Sequence, residues 1–118
     1  MKVIIAGGRD ITNYELVEAA YLKSNFKATE IVSGGARGAD YLGELFAKHN
    51  NIPIKVFPAD WDTYGKRAGF LRNLEMAKYA DALIALWDGS SKGTQHMITQ
   101  ATKHNLKVYV HLIGDKNG

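Results

Sequence analysis

The chain has 118 residues, 46% of them apolar and 23% charged, which is enough for one compact domain with a real core and too few for two. It contains no cysteine, so disulfides, thiolate metal sites and cysteine nucleophiles are excluded. The formal net charge of +3 suits anionic small ligands as well as nucleic acid, although no dense Lys/Arg run forms a duplex-binding stripe.

The first element is a strand over Lys2–Ala6, a short apolar run that Gly7-Gly8 ends. That interruption is unlike a signal peptide, and no apolar stretch nears the roughly 20 residues of a membrane helix, so a cytoplasmic protein with no membrane partner is expected. Thr12-Asn13-Tyr14-Glu15 reads as a capping box opening a first helix, with Leu16, Val17, Ala20 and Tyr21 on one face. A second strand follows at Glu30–Ser33, then a helix from about Asp40 marked by Leu42, Leu45, Phe46 and His49. Ile54–Phe57 is the third strand, and Leu71, Leu74, Ala77 and Lys78 mark the third helix. Ala82–Trp87 is the fourth strand, Met97, Ile98 and Ala101 mark the fourth helix, and Lys107–Leu112 is the fifth strand.

Most of these runs are too continuous for half-exposed strands and suit parallel strands covered on both faces. Their alternation with helices predicts an α/β fold: a single Rossmann-like, doubly wound domain over residues 1–113, its five-stranded, mainly parallel sheet flanked by about four helices. Residues 114–118 are expected to fray.

Ligands of such folds lie beyond the C-terminal strand ends, and there the glycines and charges gather. Strand one leads into Gly7, Gly8, Arg9 and Asp10; strand two into Ser33, Gly34, Gly35, Ala36, Arg37, Gly38, Ala39 and Asp40. Strand four leads into Asp88, Gly89, Ser90, Ser91, Lys92, Gly93 and Thr94. The loops that follow helices (Phe26–Thr29, Asn50–Ile52, Asn105–Leu106) lack glycine. Glycines let backbone approach a phosphate closely, and the helix after them aims its free N–H groups at the anion. Arg37 adds a forked donor and Lys92 a neutralising charge, while Ser91 or Thr94 caps the helix or donates to phosphate. The bland reading stays open beside this one: the same glycines make tight strand–helix turns.

Lys66, Arg67, Arg72 and Asn73 open the third helix; Arg67 and Arg72 point either at the same anion or at a partner subunit, and Lys66 suits a solvated basic face. Asp60 and Asp62 flank Trp61, where a carboxylate can hold ribose hydroxyls or act as a base. Trp61 and Tyr64 either stack on a base or serve as core or subunit contacts. His49, His96, His104 and His111 show no metal-ligand spacing, so no metal is expected, and His96, one turn into its helix, is the one placed to face the pocket. Neither a Walker A motif nor a nucleophile elbow occurs. No cofactor is expected.

Gly7-Gly8-Arg9-Asp10, the Ser33–Asp40 loop, Ala68-Gly69-Phe70-Leu71-Arg72-Asn73 and the Trp87–Thr94 loop together resemble the YspA-like branch of the SLOG superfamily. That superfamily groups Lonely Guy phosphoribohydrolases, the DNA-processing protein Smf/DprA and related domains. The resemblance covers nearly the whole chain. It implies a Rossmann-like sheet that binds nucleotides or nucleotide-derived ligands, in some members as a sensor, and a bacterial or bacteriophage source. Lonely Guy enzymes resemble the chain at Ser33-Gly34-Gly35 and Gly93-Thr94, but their second motif continues into catalytic glutamates where Gln95, His96 and Met97 stand here.

The leading expectation is therefore a sensor or sequestering protein for a nucleotide, cyclic nucleotide or ADP-ribose-like ligand. One alternative is a phosphoribohydrolase-like enzyme in which Asp60, Asp88 or His96 replaces the missing glutamate. Another is single-stranded DNA binding through the mild positive charge with Trp61 and Tyr64. A homo-oligomer is expected as well, because a small sheet leaves Tyr14, Tyr21 and Tyr79 seeking cover.

Overall fold

Strand β1 (Lys2–Gly7) buries Val3 and Ile5 on one face and Ile4 and Ala6 on the other. Such two-sided burial requires helices over both faces of the sheet. The computed structural model, which describes residues 1–114, shows this arrangement. Strands β2 (Glu30–Ser33), β3 (Ile54–Val56), β4 (Ala82–Trp87) and β5 (Lys107–Leu112) join β1 in an all-parallel sheet of order β3-β2-β1-β4-β5. Helices α1 (Tyr14–Ser24) and α2 (Ala39–His49) cover one face, packing Val17, Ala20, Leu42 and Phe46 on Val3, Ile5, Ile84 and Leu86. On the opposite face, α4 (Ala68–Tyr79) and α5 (Lys92–Lys103) place Met76, Ala77, Met97 and Ala101 on Ile4, Ala6, Leu83 and Ala85. The chain winds outward from β1 to β3, then returns to start again on the other side of β1 at β4. That reversal opens a crevice between the loops after β1 and β4.

All five strands fall within a residue of their expected bounds. The helices differ in detail. A short α3 (Trp61–Tyr64) and a 3-10 turn (Gly65–Arg67) precede α4, so Lys66 and Arg67 come before the third long helix rather than opening it. Four exposed residues carry no helical periodicity; what closes this turn is the Asp60 carboxylate, which accepts from the Thr63 amide at 3.1 Å. Asn13, not Thr12, caps α1: its Oδ1 accepts from the Glu15 amide at 3.0 Å, which shifts the helix start one residue beyond the expected capping box.

The loops after α1, α2 and α5 do without glycine because asparagine takes its place. Asn25, Asn51 and Asn105 adopt φ values of 60°, 56° and 62°, the left-handed conformation that this side chain tolerates. Ile113 is still tied to the sheet through its amide and the Trp87 carbonyl at 2.8 Å. Apart from Gly114, the expected frayed tail lies outside the described residues. Among those residues, no helix is long and apolar enough to cross a membrane.

The three tyrosines expected to seek a partner are half-buried, and each has a partner within the chain. Tyr14 meets His49 Nδ1 at 3.0 Å, Tyr21 packs on Phe46 and accepts from the Ala28 amide at 3.0 Å, and Tyr79 packs on Phe57 and donates to Glu30.

Candidate functional site

The loops after β1 and β2 are locked together. Gly38 adopts φ 79°, and a Cβ there would lie 2.4 Å from the Gly8 carbonyl oxygen, so no larger residue fits without moving backbone. The Ala39 amide donates to the same carbonyl at 3.1 Å. At Gly34, a Cβ would sit 2.7 Å from both Arg72 Nη1 and Asp40 Oδ2.

The start of α4 links this wall to the loop after β4. Arg72 donates through Nη1 to the Gly34 carbonyl and through Nε to Asn73 Oδ1 at 3.1 Å. Because the arginine can only donate, the Asn73 oxygen must face it and the amide nitrogen must point the other way. That nitrogen donates to the Gly93 carbonyl at 3.5 Å and to His96 Nδ1 at 3.2 Å. His96 therefore accepts at Nδ1 and is neutral, in keeping with burial and the nearby Lys103 charge, which lower its pKa.

These loops enclose a cleft of about 490 Å³. Arg9, Arg37, Lys66 and Arg72 bring positive charge to it, Asp10, Asp40 and Asp88 bring carboxylates, and Ala6, Trp61, Phe70, Met76 and Met97 bring apolar surface. A second compartment of about 370 Å³, lined by Gly34, Gly35, Pro58 and Ala59, shares Arg9, Arg37, Trp61 and Arg72 with the first. The Arg9 guanidinium lies 5.9 Å from the centre of the Trp61 ring. Neither α2 nor α5 has a side-chain cap, unlike α1 with Asn13. Ser91 holds the capping position of α5, but its hydroxyl faces that of Thr94 at 3.2 Å. The Ala39 amide at the start of α2 is taken by the Gly8 carbonyl, whereas the first-turn amides of α5 are available to a ligand.

Asp40 is 6% exposed, and burial pushes its pKa up to about 6 against the opposing pull of Arg72. The Ala36 amide, donating at 3.3 Å, and Arg9 also favour the carboxylate, while Glu44 disfavours it. Burial in turn lowers the pKa of Arg72. The Ser90 and Ser91 amides, both 2.8 Å from Asp88 Oδ1, hold that carboxyl below the usual range.

Of the residues singled out in the sequence, Gly7, Gly8, Arg9, Ala36, Arg37, Asp40, Arg72, Asn73, Asp88, Ser91, Gly93 and Thr94 line the main cleft. Gly34 and Gly35 line the second compartment. Ser33 stands behind the wall, its hydroxyl donating to Glu44 at 2.6 Å and accepting from the Gly35 amide at 3.0 Å, and Gly38 and Ala39 support the wall from α2. Arg67, Gly89 and Lys92 are exposed and line neither cavity. Among the three catalytic candidates only Asp88 reaches the cleft. Asp60 caps α3, and His96 stacks on Phe70 at 4.3 Å instead of facing the cavity. Lys66, Phe70, Met76 and Met97 line the cleft without having been singled out for it. The methionines were within reach of helical spacing, each lying three residues beyond a lining residue, Asn73 or Thr94. Among the described residues, no three His, Asp or Glu side chains gather as a metal-holding group.

A doubly wound parallel sheet whose glycine loops meet in a cleft at the strand-order reversal defines a Rossmann-like ligand-binding domain. The chain belongs to the YspA, cpYpsA-related SLOG family, YAcAr, whose model matches residues 1–64. It is similar to Gene 61 protein of Mycobacterium phage D29, with 39% identity over 66% of this chain and 67% of that protein. Its fold is similar to the X-ray structure of DNA processing protein A (DprA) from Streptococcus pneumoniae, with a TM-score of 0.79 over 98% of this chain at 18% identity. The chain spans about half of the DprA chain, 52%, and at that identity the likeness bears on the fold alone.

Proposed function

We propose that the cleft binds a nucleotide or nucleotide-derived anion, and that the protein is a cytoplasmic sensor or sequestering module for it. One observation carries this reading. Arg9, Arg37, Lys66 and Arg72 converge, with the uncapped start of α5, on a single cavity of about 490 Å³. Forked guanidinium donors and helix N-termini are the groups that hold phosphate, and the volume suits a small ligand. Thermal-shift titration with AMP, cyclic AMP, NAD and ADP-ribose tests it. A true ligand at 100 times its Kd stabilises the fold by about 2.7 kcal/mol. No stabilisation by any of the four at millimolar concentration rejects the reading.

Asp40 favours a second reading, hydrolysis of a nucleotide N-glycosidic bond. A buried cleft carboxyl with a pKa near 6 is suited to give or take a proton near neutrality, the role of the absent glutamate. Unchanged AMP after long incubation, followed by chromatography for free adenine, rejects it. Self-association is part of the leading reading and now rests on exposed Leu22 and Leu112. Sedimentation velocity showing only monomer rejects that part.

A further inference from the structure

A third cavity, of about 580 Å³, lies on the α1 side of the sheet, and it is not isolated from the basic cleft. Gly8, Asp10, Asp88 and Ser91 line both spaces, so the two meet across a saddle at the tips of β1 and β4. The character of the lining changes along that path. In the main cleft stand the guanidinium groups of Arg9, Arg37 and Arg72. At the saddle stand two carboxylates, Asp10 and Asp88. Beyond it stand Ile11, Leu16, Leu86 and Ile113, together with Thr12 and Asn13, in a mainly apolar lining.

We infer that this third cavity is the nucleobase compartment of the site, and that the bound ligand is a nucleoside 5′-phosphate laid across the saddle. The inference rests on the anion-binding reading of the cleft and assigns the rest of the ligand. A phosphate belongs among the arginines, and a carboxylate repels it, so the anion stays on the basic side of the saddle. Carboxylates accept hydrogen bonds from neutral hydroxyls. The saddle therefore suits a ribose, whose diol donates to Asp10 and to Asp88. Oδ1 of Asp88 already accepts from Ser90 and Ser91, which fixes the side chain in place and leaves Oδ2 for the sugar. A planar, weakly polar ring then enters the aliphatic space, where burial of its faces is favourable. The order cationic, acidic, apolar along one path matches the order phosphate, ribose, base in one molecule.

The test compares AMP, ribose 5-phosphate and inorganic pyrophosphate on the full chain by calorimetry. AMP is expected to bind at least roughly tenfold more tightly than ribose 5-phosphate, since it alone buries a ring. Leu16→Trp, which fills the third cavity, is expected to remove that advantage while leaving ribose 5-phosphate binding intact. Methyl NMR of the unmodified protein provides a check that needs no variant. AMP, but not ribose 5-phosphate, shifts the Ile11, Leu16 and Ile113 methyl signals. If none of the three compounds binds, the anion-binding reading itself falls and this one with it. Should ribose 5-phosphate bind while AMP gains nothing over it, only the base compartment is overturned. AMP shifting the Trp61 indole signal and none of those methyls overturns it too, because the ring then lies in the compartment behind Arg9.

Discussion

Asp40→Asn is expected to stabilise this protein at neutral pH although it removes a charge beside two arginines. The folded carboxyl keeps its proton up to about pH 6, whereas the ordinary value is 3.8, and that rise is already net of the attraction of Arg72 and Arg9. Across that window the native state binds more protons than the unfolded chain, so stability falls as pH rises from about 4 to 6. A rise of about two pH units at 1.36 kcal/mol each makes the ionised carboxylate unfavourable by up to about 3 kcal/mol. Asparagine stays neutral throughout, and its Oδ1 keeps an acceptor for the Ala36 amide. Urea unfolding at pH 4 and pH 7.5 reads the effect. Variant and parent should be nearly equal at pH 4, and at pH 7.5 the variant should lead by up to about 3 kcal/mol, roughly 12 °C in Tm for a chain of this length. A gap that is the same at both pH values refutes the reasoning, as does a carboxyl carbon NMR titration that places the Asp40 midpoint near 4.

Further expectations concern the same walls. Gly38→Ala places a methyl on the Gly8 carbonyl at positive φ and should destabilise the fold by at least about 2 kcal/mol, measured by urea unfolding; a neutral result would mean the two loops are not locked. Arg37→Ala removes an exposed guanidinium from the cleft, so it should weaken AMP binding about tenfold or more while moving Tm by no more than a degree or two. Arg72→Lys keeps the charge but loses the fork to Gly34 and Asn73, so it should lower both stability and affinity, with the His96 ring signals shifting as the Asn73 amide is released. Imidazole NMR should find His96 neutral with hydrogen on Nε2 and titrating below the usual histidine value, and the stability this contact provides should be lost as pH falls through that lowered pKa.

Legibility of the site followed the range of the interactions. The wall glycines stood out because their placement after strands, and the absence of glycine after helices, is a local pattern. Asn25, Asn51 and Asn105 complete that pattern by taking the left-handed turns at the opposite end. Arg72 and Asn73 stood out as cleft residues, but the bonds by which they tie the loops together were not legible. Arg72 meets a carbonyl 38 residues earlier and Asn73 a histidine 23 residues later, and no window along the chain contains such pairs. His96 looked free to face the pocket because the position of Phe70 beside it depends on how α4 packs on α5.

The sequence by itself determined the order of elements, the two-faced burial of the strands and the gathering of glycine and charge at one sheet edge. Each is written in periodicities of two or 3.6 residues and in loop composition, which act over a few neighbours. Only the tertiary structure decided which of those charges share a cavity, which carboxyl is forced toward its protonated form, and which catalytic candidates turn away. Those outcomes depend on desolvation and on hydrogen bonds between loops that come together only when the sheet reverses its order at β1 and β4.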